Sequence, residues 1–188
     1  MTTVLTVADG SPCPAGLPVL RTPLPLLTLR PLTVADADAY YDLIARNREH
    51  LTRNGDYEEI KTATRESVTT SFTSPSDRNI RYGVWESDRL IGRADLNPVD
   101  PPRYSIGYWL DEAATGQGYM TVACSALIDF ARAVLGATDV FAGVTHGNSR
   151  SVAVLERLGF SPVADFEHHT RFHLPLSRRT TRGAAHAP

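Results

Sequence analysis

The chain is poor in cysteine, in net charge and in long apolar runs. Two of its 188 residues are cysteines, Cys13 and Cys124, without metal-ligand spacing. That usage predicts a reduced, cytoplasmic protein rather than a disulfide or zinc scaffold. The formal net charge of -2 excludes the global basic character that nucleic acid or an anionic membrane would select. Any anionic ligand must therefore be held by a local site. No apolar run is long enough to cross a bilayer, and the N-terminus lacks the basic start and apolar core of a signal peptide. With 42% hydrophobic and 21% charged residues, the composition predicts one globular domain with a real core. It spans residues 26–177, between an irregular proline-rich leader over 1–25 and a flexible, basic tail over 178–188. Nothing separates a monomer from a homodimer.

The most informative stretch is Tyr104-Ser-Ile-Gly-Tyr-Trp-Leu-Asp-Glu-Ala-Ala-Thr-Gly-Gln-Gly-Tyr-Met-Thr121. It predicts a buried strand over 104–110, a turn bearing Gly116 and Gly118, and a helix. Tyr119, Val122 or Ala123, Ala126, Phe130 and Val134 form the expected apolar stripe of that helix. Glycines let a backbone approach a ligand closely, and a helix N-terminus offers unpaired N–H groups to a phosphate or pyrophosphate. An ordinary tight strand-to-helix connection uses the same residues, so the glycines alone leave both readings open.

Around this stretch the chain predicts strand, helix, helix, three strands, helix, strand, helix and two strands. Thr33 and Asp36 form a capping box for a helix carrying Ala37, Tyr41 and Ile44 on one face. Residues 51–60 read as a loop, and a weaker helix covers about 64–72. Strands over 81–86 and 89–97 are joined by Ser87-Asp88 as a hairpin, with Pro98 ending the second. Strands follow at 140–144, 163–166 and 171–176. The fold class is α/β (α+β), a three-layer domain on a mixed, mostly antiparallel sheet of about seven strands.

A second segment runs Asn148-Ser-Arg-Ser151-Val-Ala-Val-Leu155-Glu-Arg-Leu158-Gly159-Phe160. Asn148 predicts an N-cap accepting the Ser151 backbone N–H. Gly159 fits the left-handed position that ends the helix. Ser151 shares a helix face with Leu155 and Leu158, so its hydroxyl needs either a carbonyl one turn back or a ligand.

Taken together, Gly116-Gln-Gly118 at a strand-to-helix turn and Asn148-x-x-Ser151 before Leu158-Gly159-Phe160 resemble the GNAT acetyltransferases. The likeness is to their RimJ/RimL-like branch, which acetylates ribosomal-protein N-termini, and it covers about residues 27–176. The resemblance implies acetyl-CoA as cofactor and acyl donor, an amine as acceptor, and a V-shaped splay between the central strand and the next. By the same resemblance, amides from Gly116 through Gln117, Gly118, Tyr119 and Met120 hold the pyrophosphate. Main-chain groups of Trp109, Leu110 and Asp111 pair with the pantetheine arm. Asn148 bonds that arm near the thioester, and Ser151 protonates the departing thiolate. The family needs no metal, and His168, His169 and His173 alternate poorly for one.

Where relatives often carry an acid before Ile-Gly-Tyr-Trp, this chain has Ser105. Asp95 on the preceding strand is one candidate for the catalytic base and Glu112, Asp111 and His146 are others, with an exposed or ion-paired structural role as the favoured reading of each. A peptide α-amine, with a pKa of about 8, is roughly one-tenth neutral at pH 7; lysine, at about 10.4, is neutral at only about one part in 10³. The gap of about 3 kcal/mol favours an α-amine acceptor where a strong base is missing. Arg53, Asn54, Asp56 and Tyr57 are the expected substrate-binding residues. The sequence therefore predicts an N-acetyltransferase acting on a protein N-terminus or a small amine by direct attack in a ternary complex. An antibiotic- or metabolite-modifying acyltransferase and a non-catalytic acyl-CoA-binding module are the alternatives. A dinucleotide-binding oxidoreductase lacks its third glycine, since Thr121 stands there.

Overall fold

Residues 16–73 and 79–176 are described by the structure, a computed structural model. Cys13, most of the leader and the 178–188 tail lie outside those residues. β1 (Leu20–Arg21) and β2 (Leu27–Pro31) lead into α1 (Ala37–Arg46), α2 (Arg48–Thr52) and α3 (Arg65–Thr73). β3 (Ile80–Glu86), β4 (Arg89–Asp100) and β5 (Arg103–Leu110) form a meander. Then come α4 (Tyr119–Ala133), β6 (Asp139–Thr145), α5 (Ser149–Arg157), β7 (Ser161–Asp165) and β8 (His169–Pro175). The strands make one eight-stranded sheet, ordered β1-β2-β3-β4-β5-β6-β8-β7. The strand beyond the expected seven is the two-residue β1 on the edge.

Strand alternation divides the interior into two layers. Tyr82 and Val84 of β3, Leu96 of β4 and Ile106 of β5 face α4 and α5, in a core with Leu127 and Leu155. Trp85, Leu90 and Trp109 project to the opposite face and pack against α1 and α3. Asp36 accepts from the Thr33 backbone N–H at 2.9 Å, as the expected capping box requires, and a 3-10 turn leads into α1. At the end of α5, Gly159 is left-handed (φ 86°) and the Phe160 N–H closes on the Leu155 carbonyl at 3.0 Å.

Four local expectations are corrected. α4 buries Ala123 and Phe130 as expected, together with Met120, Cys124, Leu127, Ile128 and Ala131, while Val134 is exposed. That stripe fits a helix packed under the middle of the sheet. α1 buries Ala37 and Ile44 as expected, but with Tyr40 and Leu43 rather than Tyr41, which lies only partly covered. Residues 51–60 are not a single loop: α2 runs through Thr52, and a 3-10 turn spans Glu58–Thr62. Pro98 does not end β4, which continues to Asp100 through a register shift between Pro98 and Asp100. A bulge accommodates a residue without an N–H.

The one parallel contact positions the site. β5 and β6 are paired only from Arg103↔Asp139 to Ser105↔Phe141. Beyond that, Ile106 to Leu110 stays bonded to β4, and Ala142 to Thr145 stays bonded to β8. Each strand is held on its outer side while the inner sides part, which makes a V. Among the described residues, no helix is long and apolar enough to cross a membrane.

Candidate active site

The V opens into a cleft of about 820 Å³, within the range of small-molecule sites. Its near wall is the turn that follows β5. Asp111 caps a 3-10 turn over Glu112–Ala114, and the chain then passes through Gly116 and Gly118, both left-handed at φ 80° and 76°. A β-carbon at either glycine would meet nothing within 4 Å, so the backbone faces open space. α4 starts at Tyr119, and its first intrahelical bond runs from the Val122 N–H to the Gly118 carbonyl. The N–H groups of Tyr119, Met120 and Thr121 therefore have no intrahelical partner, at the positive end of a 15-residue helix. Tyr119 donates to the Glu86 carboxylate at 2.7 Å and pins this end of α4 to the β3–β4 hairpin. A cradle of bare backbone amides suits a pyrophosphate.

Along β5 the main-chain groups sort by parity. The Asp111 N–H donates to the Ile91 carbonyl at 2.7 Å, and its own carbonyl accepts from Ala114, so both are engaged within the protein. Trp109 has the same parity and turns toward β4. Of the three expected arm-binding residues, only Leu110 directs its main chain into the gap. Tyr108, which the sequence reading passed over, does so too. Its carbonyl accepts from the Tyr57 hydroxyl at 3.0 Å. Its own hydroxyl donates to the Ser151 carbonyl at 3.0 Å, tying β5 to α5. Burial raises both tyrosine pKa values well above the ordinary range, so both remain neutral donors near pH 7.

The far wall is the start of α5. Asn148 caps the helix by accepting the Ser151 N–H at 3.2 Å. The Ser151 hydroxyl has no hydrogen-bond partner among the described residues, so the carbonyl one turn back is not its partner. Arg53, Asn54, Asp56 and Tyr57 all line the cleft, brought there by the chain between α2 and the 3-10 turn. Asp56 accepts from the Thr145 hydroxyl and, at 3.2 Å, from Asn148 Nδ2.

The other carboxylates are committed elsewhere. Asp95 is buried, ion-paired with Arg93 at 2.7 Å, and outside the cleft lining. Asp111 pairs with Arg46 at 2.9 Å. Burial pushes the Asp111 carboxyl up, but Arg46 and the Ala113 N–H outweigh it and hold it below the usual range. Glu112 meets Arg53 at 3.2 Å and His50 at 3.5 Å; burial holds the His50 imidazole below its ordinary pKa. His146 stands 3.7 Å from Asp165, and His173 bonds Asp139 at 2.7 Å. Among the described residues, no group of three His, Cys, Asp or Glu side chains could hold a metal ion.

Comparison with known proteins bears on the family and the fold. The profile of the acetyltransferase (GNAT) domain matches residues 27–161. The chain is 31% identical over 142 residues to the probable N-acetyltransferase YjcK of Bacillus subtilis, across 70% of this chain and 78% of that protein. It is 30% identical over 141 residues to the putative ribosomal N-acetyltransferase YdaF of the same organism, across 71% and 77%. Among solved structures, RimL, a ribosomal L7/L12 α-N-protein acetyltransferase in complex with coenzyme A, superposes with a TM-score of 0.76 at 18% identity. That match covers 85% of this chain and 98% of RimL.

Proposed function

Because the chain belongs to the acetyltransferase (GNAT) domain family, and so is an acetyl-CoA-dependent acetyltransferase, we propose that its acceptor is a primary α-amine attacked directly in a ternary complex. The observation that carries this reading is the parted β5–β6 pair, with the amide cradle at its wide end and Asn148 and Ser151 along one side. The donor's pyrophosphate fits against the Tyr119, Met120 and Thr121 amides. Its arm fits between β5 and β6, along the main chain of Tyr108 and Leu110. Ser151, with an uncommitted hydroxyl, stands where it can protonate a thiolate, which favours catalysis over acyl-CoA binding alone.

An α-amine needs less help to lose its proton than a lysine does. The position before the central Ile-Gly-Tyr-Trp is Ser105, set in the closed, paired base of the V. An N-terminal acceptor also accords with RimL, an α-N-protein acetyltransferase. Purified protein, acetyl-CoA and a panel of peptides with free or blocked α-amines, alongside small amines, test this directly. Thiol release with the free α-amine peptides is expected. A clear preference for α-blocked lysine peptides would refute the acceptor class, and turnover of small amines alone would favour a metabolite-modifying enzyme.

The cradle is tested separately. Gly118→Asp adds a side chain and a negative charge at the N-cap, where the pyrophosphate is expected. It should raise KM for acetyl-CoA at least about tenfold, which is ~1.4 kcal/mol. KM for the acceptor should move far less. Steady-state kinetics with each substrate varied in turn distinguishes the two.

A further inference from the structure

The carboxylate of Asp56 is held inside the cleft without a counter-charge. One oxygen accepts from the Thr145 hydroxyl at the end of β6, and the other from Asn148 Nδ2 at 3.2 Å. Both donors are neutral. No cationic group lies within ion-pair distance of Asp56 among the described residues. Arg53, three residues before it, is taken by Glu112 at 3.2 Å. A half-buried carboxylate with two neutral donors retains lone pairs and an unbalanced charge, and it favours a cation or an N–H that can approach it.

Two further observations say what approaches. Asp56 and Ser151 line not only the main cleft but also a smaller recess of about 50 Å³ between the parted strands, beside Gly107, Tyr108 and Val144. That recess is where an acyl group at the end of an arm laid along β5 would arrive. The next residue, Tyr57, is left-handed at φ 53°, an uncommon conformation for a bulky side chain. Its hydroxyl bond to the Tyr108 carbonyl holds the segment in this conformation, with Asp56 and Tyr57 both directed at the reaction zone.

We propose that Asp56 is the group that receives the acceptor's amine and takes its proton during transfer. This rests on the acetyltransferase reading above. The neutral nitrogen sits against the Asp56 carboxylate and attacks the thioester carbonyl carbon. As the C–N bond forms, the nitrogen becomes acidic and one of its protons passes to Asp56. The C–S bond then breaks, with its electron pair going to sulfur, and the thiolate takes a proton from the Ser151 hydroxyl. The proton held on Asp56 returns to Ser151 through water, so the products are the amide and the free thiol. Through its bond to Asn148, Asp56 also fixes the amide that caps α5 and sets the position of Ser151.

The test compares the wild type with Asp56→Asn, Asp56→Glu and Asp56→Ala, using acetyl-CoA and a short peptide with a free N-terminal serine. Asp56→Asn keeps an oxygen for Thr145 but cannot take a proton, so kcat/KM for the peptide should fall about 10²-fold. KM for acetyl-CoA should stay within about threefold of wild type. Asp56→Glu should keep part of the activity. Added formate should restore Asp56→Ala, because it supplies the missing carboxylate, and should leave the wild type unchanged. If the wild type transfers acetyl and Asp56→Asn matches it, this role falls while the function stands. A loss in Asp56→Ala that formate does not relieve, accompanied by a lower melting temperature, would assign Asp56 to structure and overturn the proposal. If the wild type acetylates no amine, the acetyltransferase reading and this role fall together.

Discussion

Ser151→Ala should reduce kcat by about 10²-fold, toward the lower end of what a positioned general acid contributes. A thiol with a pKa near that of a free cysteine, about 8.5, leaves more readily than an alkoxide, so the acid assists a step that is not hopeless without it. KM for both substrates should stay within a few-fold, since the Ser151 side chain makes no bond that organises the cleft. The contacts that do organise it use the Ser151 main chain: its N–H reaches Asn148 and its carbonyl accepts from Tyr108. Alanine keeps both, so the fold and the melting temperature should be nearly unchanged. Such a split, with kcat lost and binding retained, is what removal of a transition-state interaction produces. If instead KM for acetyl-CoA rose while kcat held, the hydroxyl would be a binding contact and some other group would protonate the thiolate. Rapid-quench measurement of a single turnover tests whether the loss lies in the chemical step.

What could be read from the chain, and what could not, follows from the distance over which each feature is determined. The Asn148 cap, the Gly159 termination and the start of α4 after Gly118 are set by residues within one helical turn, and all three were legible. The V was implied by resemblance, but its cause is not local. β5 parts from β6 because β4 and β8 hold their outer edges, a contest among four strands. The Asp56–Asn148 contact joins residues 92 positions apart and has no trace in spacing or composition. Periodicity found α1 and α4 and part of their buried faces, Ala37 and Ile44 in one and Ala123 and Phe130 in the other, but it chose Tyr41 over Tyr40 and included Val134. A pair such as Tyr40-Tyr41 is apolar on more than one side, and the sheet decides which side it covers. Parity along β5 was available in principle. Trp109 and Asp111 share a strand face and Tyr108 and Leu110 the other, so Trp109, Leu110 and Asp111 could not all have turned one way.

Asp95→Ala should destabilise the fold by about 3–5 kcal/mol, the cost of removing one partner of a buried ion pair. For a chain of this size that corresponds to a fall in Tm of roughly 10 °C. Arg93 lies between the sheet and α1, with Nε 2.7 Å from the Asp95 carboxylate and Nη1 donating to the Tyr40 hydroxyl at 2.6 Å. Burial alone would favour deprotonating the guanidinium, but Asp95 and the hydroxyls of Tyr40 and Tyr57 more than reverse that and bind the proton tighter. Arg81 stands opposite Asp95 in the β3–β4 register, so the alanine variant would also remove the carboxylate that faces a second arginine across the strands. Arg93→Met should also destabilise, but by less, because Arg81 still stands opposite the Asp95 carboxylate. The double variant Arg93→Met with Asp95→Leu should recover much of the loss, and the coupling measured by that cycle is the signature of a pair rather than of two independent contacts. The catalytic alternative has a different signature. If Asp95 were the base, Asp95→Asn would abolish turnover in a protein that melts where the wild type does, and the double variant would remain inactive however well it folded. The pair also backs the site, because the Arg93 guanidinium lies 5.8 Å from the Tyr57 ring, whose hydroxyl bonds the Tyr108 carbonyl at the edge of the V. Some activity will therefore be lost with the stability. It should return with the double variant only to the extent that packing alone holds Tyr57 in place.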